Sequence, residues 1–175
     1  MSDHPEWATA LSAGNSAHRR RALIAGSRRL PRGHAARLLI RFLADLPDDA
    51  VVLVRGRAAG GMGPFEREVV TLCRAIHIAY QVCAPWPISD DDPYIGREGV
   101  LQRDRTMVEL ADVVLAFVTA DDMESKDFSG TRHLVETALN KDKSAFLYSI
   151  SREGAVSQVG QNDPTSAWSE KVPQA

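Results

Sequence analysis

Short apolar runs alternate with amphipathic stretches along most of the chain, and this alternation predicts βαβ units built on a parallel sheet. The first run, Ala22-Leu23-Ile24-Ala25, stops at the polar turn Gly26-Ser27-Arg28. A helix follows in which Ala35, Leu38, Leu39, Phe42, Leu43 and Leu46 recur at three- and four-residue spacing until Pro47. The second run, residues 50–54, is β-branched and ends in RGRAAGGMG, after which Pro64 suits the first turn of another helix. That helix, residues 65–76, carries Val69, Leu72, Cys73 and Ile76 on one face, and a third strand is expected over 78–82. A Pro- and Asp-rich loop over 84–93 precedes a helix at 97–110, a strongly apolar strand at 112–118, a polar loop, a helix at 131–140 and a last strand at 145–150. The expected fold is therefore α/β, a three-layer Rossmann-like sandwich with a parallel sheet of about five strands. It occupies residues 21–150. Residues 1–20 lack apolar periodicity and residues 151–175 are rich in Ser, Gln, Gly and Pro, so both ends read as tails.

Composition narrows the class. A chain of 175 residues with 44% hydrophobic and 25% charged residues is the size and balance of one soluble domain. No apolar run reaches the roughly 18 residues of a membrane span, and the first residues lack the charged-then-apolar order of a secretory signal. The cytoplasm is the expected compartment. Cys73 and Cys83 form no C-x-x-C pair and fall in apolar segments, as reduced core residues do. A net charge of -2 argues against a general nucleic-acid or anionic-membrane binder. The charge is unevenly spread, however: residues 1–60 hold ten Arg against five acidic groups, so an anion site should draw on the first half.

Three expected strands end in turns suited to an anion, and parallel strands bring such turns to one edge. In Gly26-Ser27-Arg28, glycine permits close backbone approach and Arg28 offers a fork of donors, although an ordinary turn with Ser27 as a cap uses the same residues. The second turn packs Gly56, Gly60, Gly61 and Gly63 into eight residues, enough to wrap a phosphate or ribose, or to form a flexible surface loop. It is neither a G-x-G-x-x-G fingerprint nor a Walker A loop. The third, Ser129-Gly130-Thr131, opens a helix whose free amides and hydroxyls make a cradle or simply a cap.

ALIAGSR, VVLVRGRAAGG, LQRDRTMVELADVVLAF and SGTRHLVETAL occur in an order and spacing that resemble the SLOG superfamily over about 130 residues. This is the Rossmann-like group that includes the LOG phosphoribohydrolases and the DprA-type proteins, and the chain looks most like its small bacterial and phage branch with a G-S-R first turn. The resemblance implies a nucleotide or nucleotide-derived ligand and a homodimer. It also implies an Arg four residues before a Met, met here by Arg103 and Met107, and acidic residues just after the Gly-Thr turn. His133 and Leu134 stand where those acids would be, and Glu136 follows later on the helix. The branch usually places an Asp shortly after its middle glycines, whereas this chain reads Met62-Gly63-Pro64.

Two functions follow as expectations. One is a binding module that senses, carries or sequesters the ligand through Gly26, Ser27, Arg28, Gly56, Gly60, Gly61, Arg103, Ser129, Gly130 and Thr131. The other is a nucleoside-monophosphate N-glycosidase or related ribosyl-transfer enzyme, in which Arg103 acts with a carboxylate, Glu136 or Asp104. No cofactor is expected, and the five scattered His argue against a metal site. Asp90-Asp91-Asp92 and Asp121-Asp122 read as solvated loop charge, His133 as a helix-surface residue or a substrate contact, and Trp86 as a base-stacking or a packing residue. Arg103 and Arg105 cannot face the same side of one helix, so at most one turns inward.

Overall fold

The computed structural model describes residues 20–57, 60–85, 97–124 and 130–162. In chain order the elements are β1 (Arg21–Gly26), α1 (Ala36–Ala44), β2 (Val51–Arg55), α2 (Pro64–Ala75), β3 (Ala79–Cys83), α3 (Arg97–Leu110), β4 (Val113–Thr119), α4 (Ala120–Glu124), α5 (Gly130–Asn140), β5 (Ser144–Ile150) and β6 (Val156–Asn162). One sheet contains all six strands in the order β3-β2-β1-β4-β5-β6. The first five are parallel and β6 is antiparallel to β5.

Every residue of β1 and of β4 is buried, because helices cover both faces of the sheet. Side chains alternate between two cores, as period-2 geometry requires. Ala22 and Ile24 of β1 join Leu39, Phe42, Val69 and Phe117 on the α1/α2 side, whereas Leu23 and Ala25 join Met107, Val108 and Leu134 on the α3/α5 side. Cys73 and Cys83 are buried and unbridged. Among the described residues no helix is long and apolar enough to cross a membrane.

The sheet differs from the sequence expectation at its far edge. The segment from residue 151, which reads as a tail, turns through Gly154 (φ 86°) and returns as β6, pairing from Ile150↔Val156 to Ala145↔Asn162. An edge strand is held by its backbone ladder, so VSQVGQN needs little apolar content, and Val156 packs against the core. A second difference is the short α4 inside the expected polar loop after β4.

The strand order reverses between β1 and β4. From β1 the chain winds outward to β2 and β3, then crosses back to place β4 on the other side of β1. That reversal opens a crevice at the carboxyl ends of the strands, the usual ligand position in doubly wound sheets.

Candidate functional site

A cavity of about 430 Å³ lies at that carboxyl edge. The first turn contributes Gly26, Ser27 and Arg28, the second Gly56 with Arg55 and Arg57, and the start of α5 contributes Gly130 and Thr131. Arg103 reaches it from α3, and Gly63 and Glu66 from the start of α2. Helices α2 and α5 thus both direct their N-terminal ends to the cavity, a favourable field for an anion. Five arginines and three carboxylates line it, leaving a positive balance with acidic groups interspersed.

Two arginines tie the turns together. Arg55 Nη2 donates to the Gly26 carbonyl at 2.7 Å and to Thr131 Oγ1 at 3.1 Å, joining the ends of β1 and β2 to α5. Its guanidinium also pairs with Glu66 Oε1 at 3.4 Å. Arg103 is 5% exposed; its Nη1 donates to the Gly56 carbonyl at 2.7 Å and its Nε to Asp104 Oδ1 at 2.7 Å. Arg105 on the same helix is half-buried and lies outside the cavity lining, so only one of the two turns inward to it. By contrast Arg28 and Arg57 are exposed at the rim. No protein partner restrains their side chains among the described residues, which leaves their donors available to a ligand.

The third carboxylate, Asp122, comes from one of the pairs that read as solvated loop charge. It is 8% exposed and lines the cavity, because Thr119 and Asp122 cap α4 reciprocally. Thr119 N–H donates to Asp122 Oδ2 and Asp122 N–H to Thr119 Oγ1, both at 3.1 Å. Burial pushes the Asp122 carboxyl up, but hydrogen bonds from the Ser27 hydroxyl and Thr119, with Arg29 at 3.7 Å, outweigh it and hold the group below its ordinary value. Ser27 Oγ also accepts the Arg29 N–H at 3.2 Å, so this hydroxyl organises the first turn.

The glycines divide into two kinds. A Cβ on Gly26 would stand 2.5 Å from the Phe65 ring, and one on Gly56 would stand 2.9 Å from Val82 Cγ1. Packing therefore requires both. Gly60 and Gly61 have positive φ (86° and 76°) and face open space. They lie outside the cavity lining and turn the chain back so that Arg57 N–H reaches the Gly61 carbonyl at 3.0 Å.

Glu136 does not reach the cavity. Its side chain is 62% exposed and pairs with Arg132 one helical turn away at 3.8 Å. His133 is half-buried on α5 and is likewise not part of the lining. Ser129, Trp86 and Asp90 to Asp92 lie outside the described residues. Two positions after Met62-Gly63-Pro64, Glu66 is buried in the first turn of α2, a burial that helical spacing alone does not advertise. Among the described residues no cluster of three His, Cys, Asp or Glu side chains could hold a metal ion.

No protein family matches the chain by sequence profile, and no curated protein matches it by sequence. The fold is similar to the X-ray structure of DNA processing protein A (DprA) from Streptococcus pneumoniae, with a TM-score of 0.52 and 14% identity over 73% of this chain and 50% of that one. The chain thus spans about half the length of that structure, and the likeness establishes a DprA-like, Rossmann-like fold.

Proposed function

We propose that this protein binds a nucleotide or nucleotide-derived ligand in the cavity at the carboxyl edge of its sheet, as a module that senses, carries or sequesters it. The observation that carries this reading is the convergence of the turns after β1 and β2, the start of α5 and five arginines on one cavity at the point where strand order reverses. Phosphate oxygens would meet the rim forks of Arg28 and Arg57 and the N-terminal ends of α2 and α5. The DprA-like fold and the sequence motifs support assignment to the SLOG group and, through it, a homodimeric state. Interspersed carboxylates fit a small phosphorylated molecule better than a nucleic-acid strand, which needs a continuous basic track.

The test is a melting-temperature screen of the purified protein against nucleoside mono- and diphosphates and ADP-ribose, with chromatography of each mixture for released base. A ligand-specific rise with the ligand intact supports a binding module. Released base overturns the binding-only reading in favour of N-glycosidic cleavage. Glu136, exposed and outside the cavity, offers that chemistry nothing, so Glu66, Asp104 and Asp122 would be its candidate carboxylates.

A further inference from the structure

Glu66 is a buried acid short of hydrogen bonds. It is 7% exposed and lines the cavity from the first turn of α2, yet its one protein partner among the described residues is Arg55, at 3.4 Å from Oε1. That separation is an ion pair without a good hydrogen bond. The Arg55 Nη2 nearest to it is already spent on the Gly26 carbonyl and Thr131. A buried carboxylate in this state calls for donors from another source.

The neighbouring backbone lets the Glu66 carboxylate lie close against the start of α2. A Cβ on Gly63 would stand 2.7 Å from Glu66 Oε2. Gly63 has φ -69° and ψ 170°, a conformation open to any residue, so backbone strain does not explain the glycine. The close approach of Oε2 does. The other two carboxylates of the cavity are engaged differently. Asp122 receives the Ser27 and Thr119 hydrogen bonds and the Arg29 charge, and Asp104 gives Oδ1 to Arg103 while its Oδ2 is sealed from solvent. Glu66 is therefore the carboxylate with acceptor capacity facing the ligand space.

A phosphate would be repelled at Glu66, whereas hydroxyl groups would be accepted there. Resting on the nucleotide-binding reading above, we infer that Glu66 is a specificity residue that accepts the hydroxyls of a ribose, so that the site takes ribonucleotides in preference to their deoxyribose counterparts. The ligand then lies with its phosphate toward the rim arginines and its sugar against the start of α2.

The experiment measures dissociation constants by calorimetry for the four ribonucleoside 5′-monophosphates and 5′-diphosphates and for their 2′-deoxy and 3′-deoxy forms. Loss of one hydroxyl should weaken binding about tenfold or more, the size of a hydrogen bond to a charged group. In Glu66→Gln the ribose-to-deoxyribose ratio should collapse toward one. Gly63→Ala should do the same by displacing the carboxylate while leaving the helix start intact, and circular dichroism verifies the fold of both. Equal binding of ribose and deoxyribose forms by the unaltered protein overturns this inference and leaves the nucleotide site standing. A preference that follows amino-bearing bases and ignores the sugar also overturns it, since Glu66 would then read the base. Binding of none of these ligands overturns the site reading and this inference together.

Discussion

Arg55 Nη2 donates to the Gly26 carbonyl at 2.7 Å, so the ends of β2 and β1 are joined by a side chain at the point where backbone pairing has ceased. The same guanidinium neutralises the buried Glu66. Arg55→Ala removes a tie between turns and strands a buried charge, and should cost about 3 kcal/mol in urea unfolding. Lysine keeps the charge but not the planar fork that serves Gly26, Thr131 and Glu66 together, so Arg55→Lys should recover less than half of the loss. A double replacement of Arg55 and Glu66 by methionine should be more stable than Arg55→Ala, because neither charge is then left alone.

Gly26 and Gly60 are both glycines near the cavity, and they should respond differently to alanine. At Gly26 the new Cβ meets the Phe65 ring at 2.5 Å, and Phe65 is itself held against Phe117 at 5.7 Å between ring centres. Overpacking of this kind should destabilise the protein by about 2 kcal/mol. Gly60→Ala meets nothing within 4 Å but must adopt φ 86°, a strain of about 1 kcal/mol. Urea titration of the two variants should rank them in that order. A Gly26→Ala protein as stable as the parent would mean that the Phe65 ring moves freely.

The central strands were legible because parallel strands covered on both faces are apolar throughout, as in RALIAG and VVLAFVT. β6 was not, since an edge strand drawing on the β5 backbone leaves almost no side-chain pattern in VSQVGQN. At the site, the convergence of Gly26, Gly56 and Gly130 followed from topology, but their chemistry did not. Gly26 and Gly56 answer to Phe65 and Val82, contacts remote in sequence. Arg55 ends β2 and Glu66 lies in the first turn of α2, and the fold-back of the chain between them, closed by the Gly56↔Met62 bridge, makes them partners. Asp121 and Asp122 are adjacent in sequence, yet one is exposed against Arg152 and the other buried against Ser27, a split set by the cap of α4.

Asp122 predicts an acid response. Its carboxyl is held below the ordinary value of 3.8 in the folded protein: burial acts upward, and Ser27, Thr119 and Arg29 more than offset it. The unfolded chain therefore binds this proton first as pH falls, so the stabilisation is complete above about pH 4 and is lost as pH drops through the lower folded value. Asp122→Asn should accordingly be less stable than the parent at pH 7, with the gap in melting temperature narrowing below about pH 4. A gap constant down to pH 2 would show that the charge of Asp122 contributes nothing.

The two thiols should be silent until the sheet opens. Cys73 is fully buried on α2 and burial pushes its thiol up to about 11; Cys83 ends β3, where burial again raises it, opposed by the Arg103 charge and reinforced by Asp104. Reactivity depends on the thiolate, so neither residue offers an appreciable nucleophile at pH 8. Treatment of the native protein with a chromogenic disulfide reagent should release almost no colour over the time in which a denatured sample reports both thiols. Adding a bound nucleotide should slow the residual reaction of Cys83 more than that of Cys73, because Arg103 and Asp104 join Cys83 to the cavity wall, whereas Cys73 lies in the α1/α2 core. Peptide mapping of the labelled protein reads the two sites separately, and equal protection of both would show that the ligand acts on global unfolding alone.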